Sequence, residues 1–300
     1  MKRLVRCNPM DNLLNRGERV DYHAYWYLGL GALSLLALGC TCFAKRSLRR
    51  PLLLFGIVIG YGFLIESVIY NFLGSYRYDP NLIAWNDYYD SNTGALASNA
   101  LALPVAATMI AVFGLGWMGI VGFIILFACI EWLFLHLGLY EQNWWKTVYT
   151  MLGLPFYFGT AIWIHARLPH PIRGLLHKLA LFALTAACAG TLFVTPIMLF
   201  GVRSFTPGWF AEDARDTTSF SDVLFILMSL LYVWLACTNW RHAWLKYAIA
   251  AAVMQGSTIL LRAAGLLHSH LWWDGLYYVV AAILMTRLSV AFHRALLQGE

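Results

Sequence analysis

Sixty per cent of the 300 residues are hydrophobic and only 12% are charged, where a soluble domain carries roughly a quarter charged. With that balance and a mean hydropathy of +0.63, the chain cannot cover itself with polar surface, so a water-soluble fold is excluded and lipid is the solvent. The net charge of +6 does not point to nucleic acid, because Lys and Arg sit in short turns between apolar stretches, with no basic block interleaved with aromatics.

The first twenty residues, MKRLVRCNPMDNLLNRGERV, hold no apolar core, so no cleavable signal peptide is expected and residues 1–23 read as a polar tail. A spanning helix needs roughly 20 mostly apolar residues. Nine stretches qualify: 24–44, 51–73, 95–114, 116–138, 147–166, 176–201, 221–239, 246–267 and 271–292. The third and fourth are divided only by Gly114-Leu115-Gly116. One unbroken helix through that ~44-residue run would be about 66 Å long, so two helices are favoured. The predicted fold class is all-α, a polytopic transmembrane helix bundle of about nine spans (eight to ten), forming one membrane domain over 24–300.

The distribution of basic residues predicts orientation. With the turn holding Lys45, Arg46, Arg49 and Arg50 in the cytoplasm, Arg167, Arg173, Lys178, Arg241, Lys246, Arg287 and Arg294 fall there too. The opposite loops hold only Arg77, Lys146, Arg203 and Arg215, together with most loop acids, among them Asp79, Asp87, Asp90, Glu141, Glu212, Asp213 and Asp216. This predicts a multi-pass cell-membrane protein, most naturally of a bacterial plasma membrane, with its C-terminus cytoplasmic; the basic N-terminal tail is the one conflict. Trp and Tyr near the span ends, such as Tyr22, Trp26, Trp144, Trp145, Trp272 and Trp273, read as an interfacial aromatic belt.

Residues 51–114 and 116–166 read either as two copies of one two-helix unit or as a chance match, since apolar sequences align easily with one another. Ile65-Glu66 is followed by Asn71 and then Gly74-Ser75-Tyr76; Ile130-Glu131 is followed by His136 and then Gly138-Leu139-Tyr140. The next spans match as well: Asn99 precedes Leu101-Ala102-Leu103-Pro104 as Thr150 precedes Leu152-Gly153-Leu154-Pro155. Parallel repeats of this kind occur among transporters. Both glutamates then lie about 22 Å up their spans, in the outer half of the bilayer. Each proline is expected to interrupt its helix near that level and free backbone carbonyls.

Ionisable groups inside spans cost about 2.5–3.5 kcal/mol each on insertion scales and usually face a bundle interior or cavity. Glu66, Glu131, Arg262 and Asp274 qualify, with Arg262 as the expected counter-ion of the two acids. Asn71, His136 and Asn99 complete the candidate ligand-binding set, and Pro104 and Pro155 are the candidate helix breaks lining it. The alternative for each Glu is a protonated structural acid, and for Arg262 a side chain reaching the interface. The loop 75–97, dense in Tyr, Asp and Asn, is either a solvated loop or a lid. Cys7, Cys40, Cys42, Cys129, Cys188 and Cys237 show no metal-ligand or redox spacing and read as packing residues. The predicted topology splits the histidines, with His165, His170, His177, His242 and His293 inside and His23, His136, His268 and His270 outside, so no metal site and no cofactor is expected.

At IESVIYNFLGSYRYDP, YYDSNTGALASNALALP and IEWLFLHLGLYEQNWWKTVYT the chain resembles uncharacterised small multi-pass membrane proteins of endospore-forming Gram-positive bacteria, which implies topology alone. A second, weaker similarity, at Glu66 and Gly74-Ser75-Tyr76-Arg77-Tyr78, is to carotenoid hydratase-like membrane enzymes. It implies a carboxylic acid, here Glu66, protonating a carbon–carbon double bond of an isoprenoid. Three functions therefore stay open: binding or transport of a lipid-like or small polar substrate, with membrane lipids as partners; an enzyme acting on an isoprenoid or lipid; and a structural or assembly role in which the polar groups serve helix packing.

Overall fold

The computed structural model describes residues 9–298, with side chains placed from Tyr22 onward. Residues 1–8 of the expected tail, Cys7 included, lie outside the described residues. From Pro9 the chain is already helical, in α1 (Pro9–Ala44). Nine helices among the described residues are long and apolar enough to cross a membrane, the number expected from composition, and the chain is a multi-pass α-helical membrane protein. After α1 come α2 (Arg49–Glu66), continued by a π-helical turn over Ser67–Phe72, and α3 (Asp87–Ala95), continued through a second π-helical turn (Leu96–Ala102) into α4 (Leu103–Phe113). Then follow α5 (Gly116–His136), α6 (Thr147–His165), α7 (Gly174–Phe200), α8 (Asp213–Cys237), α9 (Trp244–Ala263) and α10 (Asp274–Gln298). The break between α4 and α5 falls where the two glycines predict it, with Gly114 and Gly116 both at positive φ (63° and 60°), a conformation that glycine adopts without steric penalty.

Two spans begin earlier than apolarity suggests. The third starts at Asp87 and the seventh at Asp213, so the expected loop 75–97 is helical from Asp87 onward. Tyr89, Asp90, Ser91 and Asn92 in one helix, and Asp216, Thr217, Thr218, Ser219, Ser221 and Asp222 in the other, are buried. They face protein rather than lipid, so a hydropathy threshold reads them as loop although they extend the helices.

Four three-residue strands cap one end of the bundle: β1 (Tyr76–Tyr78), β2 (Tyr140–Gln142), β3 (Arg203–Phe205) and β4 (Leu267–Ser269). β1 pairs antiparallel with β2, and β3 with β4. Each strand follows a helix that ends in a left-handed glycine, Gly74, Gly138, Gly201 or Gly265, the residue that reverses a helix end at least cost. The registers are alike: Tyr76 pairs with Gln142 and Tyr78 with Tyr140, while Arg203 pairs with Ser269 and Phe205 with Leu267.

The loops behind β1 and β3 share a hydrogen-bond scheme. Asp90 accepts from the backbone N–H groups of Asn81, Leu82 and Ile83 at 2.6–2.8 Å. Asp216 accepts from those of Gly208, Trp209 and Phe210 at 2.8–3.0 Å. The next residue in each helix does the same task, Ser91 Oγ accepting from Tyr78 N and Thr217 Oγ1 from Phe205 N.

The main seam between the chain's halves is α2 against α7. Gly56 and Gly60 let the two backbones meet: a Cβ on Gly60 would lie 1.8 Å from the Ala183 carbonyl oxygen, and one on Gly56 2.7 Å from Leu184. Small residues four apart are how membrane helices approach closely, because dispersion contacts and not water exclusion hold them together.

Candidate functional site

Around β1 and β2 the helices α1, α2, α5 and α6, with the π-helical turn before α4, enclose a cavity of about 230 Å³. Glu66 and Glu131 both line it. So do three further pairs of positions that the proposed repeat equates: Tyr76 with Tyr140, Asn99 with Thr150, and the pre-proline residues Leu103 and Leu154. Corresponding side chains of the two units therefore face one space, on the symmetric β1–β2 register. Most of the remaining wall is aromatic or aliphatic, including Tyr27, Tyr78, Phe127, Phe134, Trp145 and Tyr157. No Lys, Arg or His is among its described lining residues.

The two carboxyl groups are held differently. Tyr76 donates its phenol to Glu66 Oε2 at 2.6 Å, whereas Glu66 Oε1 and the Asn99 side-chain Nδ2 are buried without a hydrogen-bond partner. Glu131 Oε1 accepts from Gln142 Nε2 at 2.7 Å and from Thr147 Oγ1 at 3.2 Å. Tyr76, Tyr78 and Tyr140 stand ring to ring, with centroids 5.0–5.5 Å apart. Burial first, and the Glu66 carboxyl next, push the phenols of Tyr76 and Tyr78 well above the usual tyrosine range; burial and then Glu131 do the same for Tyr140. Tyr76 thus stays protonated and remains a donor to Glu66. Tyr27, on α1, closes the top by donating to the Leu139 carbonyl.

The cavity reaches the outer surface of the bundle. Ile65 and Tyr149 line it and are 39% and 46% exposed. A Cβ on Gly153, another lining residue, would meet nothing within 4 Å. The opening lies between α2 and α6.

Other expected site residues lie elsewhere. Asn71 turns to a buried network, donating to Asp222 Oδ2 at 2.6 Å and accepting from the Tyr88 phenol at 2.7 Å. Together with Glu66 and Asn99 these two residues line a smaller cavity of about 60 Å³ between α2, α7 and α8. His136 is exposed and stacks on Trp132 at 5.6 Å. Arg262 does not reach the glutamates. It donates to Asp274 at 3.1 Å and to Ser269, and Asp274 also takes Arg203 Nε at 2.7 Å. The expected counter-ion role is thus replaced by a separate Arg203–Asp274–Arg262 cluster beside β3 and β4. Pro104 lies in the first turn of α4 behind the π-helical turn, within the continuous span Asp87–Phe113, while Pro155 sits inside an uninterrupted α6; the expected interruption is a π-helical turn at the first and absent at the second, and neither proline lines the cavity.

Asp222 is the member of this region that sequence reasoning passed over. It stands second in the apolar stretch 221–239, where an acid reads as interfacial, yet it is 4% exposed because α8 begins at Asp213. In the second half a cavity of only about 30 Å³ occupies the matching place. Phe193 and Thr258 line it, standing as far before Gly201 and Gly265 as Glu66 and Glu131 stand before Gly74 and Gly138. No protein-family model, curated protein or solved structure matches this chain.

Proposed function

We propose that this chain binds an elongated, lipid-like molecule in the cavity of its first half and carries it within the membrane, its polar end at Glu66 and Asn99. The observation that supports this most is an aromatic cavity bearing two carboxyl groups and open sideways at Ile65, Tyr149 and Gly153. Pockets that enclose a whole drug-sized ligand measure about 300–1,000 Å³. At about 230 Å³ this one takes an end of a longer molecule whose remainder stays in the bilayer. With two acids and no basic residue in the described lining, a neutral or cationic head group is favoured over an anionic one. The same geometry supports a duplication of a helix–glycine–strand–helix unit within each half and of the whole half, only the first half keeping the acids. The positive-inside rule supports placing the strand-bearing end outside and the C-terminus in the cytoplasm.

A second reading, an enzyme acting on an isoprenoid or lipid, is favoured by one detail. Tyr76 donates to Oε2 of Glu66 while Oε1 is buried without a hydrogen-bond partner and is left to carry the proton that a general acid donates. The carotenoid hydratase-like resemblance at Glu66 and Gly74–Tyr78 agrees with it.

The test compares lipids retained by the purified wild type and by Gly153→Leu and Glu66→Gln, using native mass spectrometry. Carriage predicts a bound lipid-like species in the wild type, lost from Gly153→Leu with little change in unfolding temperature. Unchanged lipid in both variants counts against the cavity. A chemically altered isoprenoid or lipid in expressing cells, absent with Glu66→Gln, moves the conclusion to the enzyme. Lowered thermostability with no lipid difference moves it to a packing role.

A further inference from the structure

At the end of the bundle away from the strands, three helices bring together His177 near the start of α7, Cys237 at the end of α8 and His293 late in α10. His177 Nε2 and His293 Nδ1 face each other at 2.8 Å, and Cys237 Sγ is 3.7 Å from the same Nδ1. The three potential ligand atoms all lie within 4.8 Å of one another. His177 is 5% exposed, its ring nearly perpendicular to that of His293, and its Nδ1 has no hydrogen-bond partner. With the ring proton on Nδ1, the Nε2 lone pair is left directed at the cluster.

We propose that His177, Cys237 and His293 form a binding site for a thiophilic d¹⁰ cation, Zn²⁺ or Cu⁺, with one coordination position left open. Zn–N bonds of about 2.0–2.1 Å and Zn–S bonds of about 2.3 Å in tetrahedral array place N and N roughly 3.3 Å apart and N and S roughly 3.6 Å apart. The Cys237–His293 separation already matches. The two imidazoles need to part by about half an ångström, and Cys237 Sγ and His177 Nε2, up to 4.8 Å apart, need to close by about 1.2 Å, both within reach of side-chain rotation. Imidazole and thiolate are the ligand types that these ions prefer over carboxylate-seeking Mg²⁺ or Ca²⁺. On binding, the Cys237 S–H bond breaks, its proton leaves to solvent and the thiolate forms the metal–sulfur bond, with no change of oxidation state. Lys178 and Arg294 adjoin the histidines in sequence and Lys246 Nζ donates to the Ala236 carbonyl at 3.4 Å. The thiolate's negative charge offsets this positive surround when a cation enters. The three residues are far apart in the chain and lack any metal-ligand spacing, so only helix packing assembles them.

The experiment uses full-length protein in detergent, stripped of metal with a chelator. One arm titrates Co²⁺ as a spectroscopic stand-in for Zn²⁺, with Zn²⁺ displacement. The other supplies Cu⁺ under reducing conditions in competition with a chromogenic Cu⁺ chelator. The expected result is one equivalent bound in at least one arm, with a thiolate-to-metal charge-transfer band and about one proton released per ion. Cys237→Ser abolishes the band, His177→Asn and His293→Asn weaken binding at least tenfold, and Cys188→Ser leaves it unchanged. Wild-type protein that binds neither ion, or binds without the band, overturns the proposal, and so does a Cys237→Ser variant that binds as the wild type does. The wild-type arms decide the matter even if a variant fails to fold.

Discussion

Replacing Asp274 by Asn tests whether the cluster beside β3 and β4 is held by a buried charge. Asp274 is 0% exposed and Arg203 4%, and they meet at 2.7 Å. Asn keeps the shape but leaves the Arg203 guanidinium buried without its counter-ion, a change that costs about 3–5 kcal/mol when one partner of a buried pair is removed. The guanidinium also lies 3.3 Å over the Tyr278 ring, a contact of about 0.5–2 kcal/mol that survives and holds the loss toward the lower bound. Arg262, the second partner of Asp274, has 45% of its side chain exposed, so Arg262→Gln costs about 1 kcal/mol or less. At about 2 °C per kcal/mol for a large chain, thermal unfolding in detergent should fall by roughly 6 °C for Asp274→Asn and by 2 °C or less for Arg262→Gln. The double variant Arg203→Met/Asp274→Leu, with no buried charge left, should recover much of the loss. Unfolding temperatures of Asp274→Asn and Arg262→Gln that agree within a degree would refute the reasoning.

Two other outcomes follow from the same geometry. Asp90→Asn and Asp216→Asn should each cost about 1–3 kcal/mol, because each carboxylate anchors three backbone N–H groups through charge-assisted bonds. The two losses should add, being in separate halves; faster amide exchange at Leu82 and Trp209 is the direct readout, and protection unchanged in both variants contradicts it. The phenols of Tyr76, Tyr78 and Tyr140 are held neutral by burial, so their folded-state values lie above the unfolded one. The stability they contribute is complete below pH ~10 and declines as pH rises through the unfolded tyrosine value. Denaturation between pH 8 and 11 should show that decline, with a shallower slope in Tyr78→Phe; a folded protein in which every tyrosine ionises near pH 10 rules it out.

The shared hydrogen-bond schemes of Asp90 and Asp216 also show what the chain's pattern conceals. The first two units share Ile-Glu and Gly-x-Tyr and can be aligned by eye. At the same distances from Gly201 and Gly265, α7–α10 hold Phe193, Thr258 and Arg203, so the halves share little beyond the four glycines and the two aspartates. Backbone geometry conserves such a scaffold where residue types do not, because a left-handed helix end needs glycine and three converging N–H groups need a carboxylate.

What the sequence by itself determined is the membrane, the nine spans and the two intramembrane glutamates, because hydrocarbon solvent imposes a length and an apolarity that each helix must show on its own. The helix that begins early at Asp213, burying Asp222, was decided only by packing, since polar residues facing protein look like loop to any measure of hydropathy. Tertiary structure likewise decided that Glu66 and Glu131 share a cavity while Arg262 turns to Asp274, and that His177, Cys237 and His293 meet. Side-chain convergence depends on how helices rotate about their axes, which the close approach at Gly56 and Gly60 and the strand pairing determine and which no single helix encodes.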